Sequence, residues 1–232
     1  MFDARVRKAI APILEPVAIV LDRAGVPPLA ITGTGFLAGV GAIAAAATKN
    51  WDLALGLWLL NRLLDGLDGP VARRRGPTEV GGFLDLVADF TVYGGFVVAV
   101  GIALPQARIA CLALLLAYYA SGTAFLAISS ILERRGESEG ATQLAQDGRS
   151  LRFVGGLAEG TETVLAYVMF CLLPGHATVV AWIFTAAVAV TALQRVAFGI
   201  RVLRLPDVPP LPRPVGPERP RGVITAKENH LI

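Results

Sequence analysis

The chain of 232 residues is 54% hydrophobic and only 17% charged, with a mean hydropathy of +0.61. Soluble domains carry about 25% charged residues, so the balance points to a membrane protein. A net charge of +3 with no basic patch on a polar segment argues against nucleic-acid binding, and Cys111 and Cys171, both in apolar stretches, form neither a disulfide framework nor a zinc spacing.

Residues 1–26 mix charged and apolar side chains without the compact apolar core of a cleavable signal segment. Phe2, Val6, Ile10, Ile13 and Leu14 recur at helical spacing, with Arg5, Arg7 and Lys8 between them. This pattern predicts an amphipathic helix, lying on the membrane surface or packed on a helical bundle. Six long apolar stretches follow, near 29–48, 52–72, 80–104, 107–131, 153–173 and 177–200. Each approaches the roughly 20 residues that span a bilayer. The expected fold is therefore an all-α integral membrane protein with six transmembrane helices and an N-terminal juxtamembrane amphipathic helix. The expected division is 1–26 for the amphipathic segment, 27–204 for the membrane domain and 205–232 for a cytoplasmic tail. Seven prolines between Pro206 and Pro220 predict that this tail is extended or disordered.

Lys and Arg set the orientation. Arg5, Arg7, Lys8 and Arg23 precede the first stretch, and Arg73, Arg74 and Arg75 follow the second. Arg134, Arg135, Arg149 and Arg152 lie between the fourth and fifth, and Arg201 and Arg204 follow the sixth, whereas the opposite side holds only Lys49 and Arg108. Both termini are expected to face the cytoplasm.

The second stretch ends in Asp65 and Asp68, and the third begins with Asp85 and Asp89. Spacings of three and four place each pair on one face of its helix, near the cytoplasmic edge. An Asp at a bilayer centre costs roughly 2.5–3.5 kcal/mol, less near the interface, and four converging carboxylates also repel one another. Arg62 and Arg73 are the only local cations, too few to cancel them. Two divalent cations would balance the charge, and an oxygen-only donor set favours Mg²⁺, Mn²⁺ or Ca²⁺ over zinc. Two-metal sites suit phosphoryl displacement. Gly69, Ala72 and Gly81 beside the carboxylates leave room for a phosphate to approach, although small residues also serve helix packing. His176 and His230 have no partner for metal binding.

Written out, the pattern is Asp65-x-x-Asp68-Gly69-x-x-Ala72-Arg73 followed by Gly81-x-x-x-Asp85-x-x-x-Asp89. All eight residues match, in order, the signature of the CDP-alcohol phosphotransferases, membrane enzymes of phospholipid head-group synthesis, which this chain resembles. Overall it looks most like bacterial inner-membrane members of that family. The Pro28-Leu29-Ala30-Ile31-Thr32 segment is a weaker echo of a second family pattern. Fewer residues separate Arg73 from Gly81 than is usual in the family, and position 29 is Leu where the family tends to be polar.

The resemblance implies that Asp65, Asp68, Asp85 and Asp89 hold two divalent cations, Mg²⁺ or Mn²⁺. Asp89 would also be the general base. Gly69, Ala72, Arg73, Thr78 and Gly81, with Pro28, Leu29 and Ala30, would hold the CDP donor. It further implies a homodimer in the bacterial inner membrane, with its active site on the cytoplasmic side. The reaction would move a phosphatidyl or other phospho-alcohol group from a CDP-alcohol, CDP-diacylglycerol first among them, to a small hydroxyl acceptor with release of CMP. The alternative is a catalytically inactive or divalent-metal-handling membrane protein.

The acceptor is open between glycerol 3-phosphate, another polyol and an amino alcohol. Glu159 and Glu162 share a helix face at the start of the fifth stretch, and Arg195 lies late in the sixth. Ionisable residues inside the membrane mark functional sites, so these three are the expected acceptor contacts, an Arg–Glu salt bridge being the structural alternative.

Overall fold

The structure is a computed structural model and describes residues 3–134 and 160–204. Among the described residues the regular elements are all helical. They are α1 (Asp3–Arg23), α2 (Pro28–Ala47), α3 (Trp51–Arg75), α4 (Glu79–Ala103), α5 (Arg108–Arg134), α6 (Gly160–Leu172) and α7 (Ala177–Leu203). Short 3₁₀ turns, Pro105–Ala107 and Pro174–His176, lead into α5 and α7.

Local chemistry sets the helix boundaries. Pro28 occupies the first turn of α2, where its missing N–H costs nothing. The Asn50 side chain caps α3 by accepting from Leu53 N. Gly76, at φ 88°, ends α3 in a conformation that L side chains avoid, and Pro77 blocks continuation. Thr78 then caps α4, its Oγ1 accepting from Gly81 N at 3.1 Å. This short break turns the chain back on itself, and α2 packs against both α3 and α4.

The helices predicted from the apolar stretches are present as α2 to α7. Among the described residues, four segments are long and apolar enough to cross a membrane: Pro28–Ala47, Glu79–Ala103, Pro105–Leu132 and Pro174–Leu203. The other two expected spans do not meet that standard, for different reasons. α3 is 25 residues long but carries Asp52, Arg62, Asp65, Asp68 and Arg73 to Arg75. The described part of α6 is only 13 residues, and the start of the fifth apolar stretch lies outside the described residues, as does the proline-rich tail.

The core is aromatic at its centre. Trp58, Phe96, Tyr167 and Phe170 are fully buried, with Tyr167 stacked on Phe96 at 5.0 Å between centroids. Close helix approach depends on missing side chains. A Cβ at Gly39 of α2 would lie 2.5 Å from Val92 of α4, and one at Gly95 would lie 2.6 Å from Ile43.

α1 has two apolar faces. One packs on α3 through a small core of Ala18, Ile31, Leu67 and Val71, flanked by Leu14 and Leu21. The other exposes Ile10, Ile13, Val17 and Val20. Arg74 pairs with Glu15, and Arg75 pairs with Asp22 at 2.7 Å, tying α1 to the last turn of α3. One face of this segment therefore meets the bundle and the other is exposed.

Candidate metal and active site

The turn at Gly76–Thr78 carries α3 into α4 so that their aspartates meet. Carboxylate oxygens of Asp65, Asp68 and Asp85 lie within 4.8 Å of one another. Asp89 joins them in lining a single pocket, whose other walls are Thr32, Gly35 and Phe36 from α2, Asn61 from α3 and Ala88 from α4. Asp68 is the buried member, and its Oδ2 accepts from Thr32 Oγ1 at 2.8 Å. Like charges this close repel by roughly 3 kcal/mol per pair at an effective dielectric of about 20. Three convergent carboxylate oxygens in one small pocket form a hard donor set that fits Mg²⁺ or Mn²⁺. Asp65, Asp68 and Asp85 would hold such an ion directly, with Asp89 beside them.

Arg62 is more than a nearby cation. Its Nη2 donates to Asp89 Oδ1 at 2.9 Å, and its Nη1 lies 3.5 Å from Asp65 Oδ2. One of the four carboxylate charges therefore has a resident counter-ion. The spacing of three between Arg62 and Asp65 was the visible signal, because it puts both on one helix face. Thr32 and Asn61 were the other omissions. Their part depends on the α2–α3 contact, which spacing within one helix does not reveal: Asn61 Nδ2 donates to Gly35 O at 2.8 Å.

The expected donor-binding residues lie on or next to the same three helices, α2, α3 and α4, but none of them lines this pocket. Pro28, Leu29 and Ala30 form the first turn of α2, one turn before Thr32, with Leu29 exposed. Arg73 is exposed, and a Cβ added to Gly69 would lie 3.4 Å from its Nη1, so the guanidinium folds back along α3 over Gly69. Ala72 is half-buried. Thr78 has a local task as the cap of α4. Gly81 is small for the same reason, since a Cβ there would come within 2.9 Å of Thr78 Oγ1.

The expected acceptor residues are not gathered at this pocket. Glu159 lies outside the described residues. Glu162 stands half-buried in the first turn of α6, and Arg195 projects from α7, where Nη1 donates to Ser121 Oγ at 2.8 Å and to Ser121 O at 3.2 Å. The Arg195 guanidinium also lies over the Phe125 ring at 5.2 Å. Neither side chain lines the carboxylate pocket.

Residues 26–194 match the family model for CDP-alcohol phosphatidyltransferase. The inner membrane protein YnjF of Escherichia coli is 39% identical over 211 residues, covering 88% of this chain and 98% of that protein. The archaetidylinositol phosphate synthase of Methanothermobacter thermautotrophicus is 40% identical over 84 residues, or 36% of this chain and 42% of that enzyme. In fold, the chain is similar to the phosphatidylinositol phosphate synthase of Mycobacterium tuberculosis at 24% identity. Its crystal structure with CDP-DAG bound gives a TM-score of 0.58, covering 81% of this chain and 94% of that one. The same enzyme in complex with manganese and citrate gives 0.59, covering 81% and 88%. The signature carboxylates, their convergence in space and a family match over most of the length agree: the chain belongs to the CDP-alcohol phosphatidyltransferase family and is a transferase of substituted phosphate groups.

Proposed function

We propose that the protein transfers a phosphatidyl group from CDP-diacylglycerol to the hydroxyl of a small polar alcohol, releasing CMP. The observation that carries this reading is the convergence of Asp65, Asp68 and Asp85 in a pocket that Asp89 also lines. The relative of like fold that binds CDP-DAG supports this choice of donor. Two divalent cations held by the four aspartates would supply neutralisation of the diphosphate and of the charge that develops on CMP. Arg73, folded toward Gly69, would pair with a donor phosphate, and Gly69 and Gly81 keep the approach open. The first turn of α2 (Pro28 to Ala30), Ala72 and the Thr78 turn complete the donor pocket.

Asp89 is the general base. It takes the proton of the acceptor hydroxyl while that oxygen attacks the phosphorus distal to the cytidine. A P–O bond forms to the acceptor, the P–O bond to CMP breaks in line with it, and the proton stays on Asp89. The enzyme works as a homodimer in the bacterial inner membrane with this pocket on the cytoplasmic side, where CMP and a polar acceptor are soluble. Glu159 and Glu162 favour acceptors rich in hydroxyls or an ammonium group, and Arg195 is the cation able to hold a phosphate on the acceptor.

The test is purified protein with CDP-diacylglycerol, Mn²⁺ and a panel of acceptors, with lipid products read by mass. The panel holds glycerol 3-phosphate, an inositol phosphate, unphosphorylated polyols and amino alcohols. One member of the panel is expected to give a new phospholipid together with CMP. No product and no CMP with any acceptor would overturn the reading.

A further inference from the structure

Arg62 sits against the carboxylates, yet it is not one of the eight signature residues. Its side chain is 10% exposed. Nε and Nη2 donate to Asn61 Oδ1 at 2.9 and 2.6 Å, Nη1 donates to the Tyr93 hydroxyl at 2.6 Å, and Nη2 also donates to Asp89 Oδ1 at 2.9 Å. These bonds use four of the five N–H groups of the guanidinium, and Nη1 is also ion-paired with Asp65 at 3.5 Å. Its carbon lies 4.8 Å from the Trp58 ring centroid and 4.7 Å from that of Tyr93.

The anchors are themselves fixed. Asn61 is buried and bonded to Gly35 O, while the Tyr93 carbonyl accepts from Tyr167 Oη at 2.8 Å. Parts of α2, α3, α4 and α6 thus hold one guanidinium in place. A planar fork held this tightly dictates the orientation of whatever carboxylate it binds. The bond to Asp89 at 2.9 Å is closer than the approach to Asp65 at 3.5 Å, so Asp89 is the carboxylate it governs.

We propose that Arg62 is a positioning residue for Asp89, engaging Oδ1 and so presenting Oδ2 for the proton transfer. The inference rests on the proposed function, because it assigns Asp89 the role of base. Arg62 acts through Asp89 and not by touching the substrate.

The experiment is a double-mutant cycle of Arg62→Met and Asp89→Asn in full-length protein. CMP release is followed from CDP-diacylglycerol with the acceptor found active, and Mn²⁺ binding is followed by electron paramagnetic resonance. A base contributes about 10²–10⁴-fold, so Arg62→Met is expected to lower kcat by about 10–10²-fold, a part of that. The donor KM should stay within about threefold, because binding and orientation are separate in this account. Arg62→Lys, which keeps the charge but not the fork, should restore kcat only in part. In the Asp89→Asn background, Arg62→Met should cost nothing further. Mn²⁺ binding should be kept or tightened, because a cation has left a cluster of carboxylates.

Losses that multiply across the cycle, or Mn²⁺ binding weakened more than about tenfold in Arg62→Met, would overturn the inference. If Arg62→Met does not fold, Tyr93→Phe removes one anchor of the guanidinium. It should lower kcat less, and again only when Asp89 is present; an unchanged kcat, or a loss that persists with Asn at position 89, overturns the inference. A wild-type protein that releases no CMP overturns the proposed function and this inference with it. An active wild type with independent losses overturns the inference alone.

Discussion

At the scale of single residues, the aspartates were legible because their chemistry is expensive. Four carboxylates in two apolar helices need a reason, and spacings of three and four put each pair on one face. What spacing did not show was which neighbours answer them. Arg62 was visible as a nearby cation, but its grip on Asp89 depends on Tyr93 and Asn61 holding it from two helices. The three consecutive arginines also divide in a way the sequence left open. Arg74 and Arg75 are paired with Glu15 and Asp22 of α1, whereas Arg73 folds toward Gly69. A hydrogen bond to a charged group contributes roughly 1.5–3 kcal/mol, so Arg73→Ala should raise the donor KM by about 10–10²-fold. Arg74→Ala, which removes an exposed ion pair worth at most about 1 kcal/mol, should leave KM near wild type. Steady-state kinetics of both variants checks this, and equal effects would return Arg73 to a role in topology alone.

At the scale of elements, apolar run length located the helices well, because each run is bounded by a physical stop. Pro28, Asn50, Gly76 and Thr78 mark ends of α2, α3 and α4 and are all readable in the sequence. The mutual packing of the helices was not readable. A glycine in a membrane helix serves equally as contact surface or as spacer, and only its neighbours decide. Gly39 faces Val92 with no room for a Cβ, whereas Gly56 has open space around its Cβ direction. Overpacking costs typically 1–3 kcal/mol, so Gly39→Val should lower the thermal midpoint of the detergent-solubilised protein by several degrees. Gly56→Ala should leave it unchanged or raise it, since Ala favours a helix by about 1 kcal/mol over Gly. Thermal unfolding of the two variants reads this contrast, and equal midpoints would mean that the α2–α4 contact is looser than described. The same limit applied to α1, where the pattern of apolar residues predicted an amphipathic helix and the pairs to Arg74 and Arg75 tie it to α3.

At the scale of the whole molecule, the all-helical membrane architecture was evident from hydropathy alone. The count of spans was less so. α3 is long enough to cross but carries Asp52, Arg62, Asp65, Asp68 and Arg73 to Arg75, so composition alone does not class it as a span. A helix that carries both carboxylates and arginines reads as too polar to be classed as a span. α3 and α4 carry the four aspartates, and α2 closes the pocket through Thr32, Gly35 and Phe36. The whole account therefore turns on whether this meeting of helices is a metal-dependent site for CDP-linked substrates. The most direct measurement is CMP release from CDP-diacylglycerol by protein stripped with chelator, as Mn²⁺ is restored, in wild type and in Asp85→Asn. The account predicts no release without metal, recovery in wild type on adding Mn²⁺, and little or no recovery in Asp85→Asn at the same concentration. Full release in metal-free buffer, or recovery in Asp85→Asn equal to that of wild type, would contradict it.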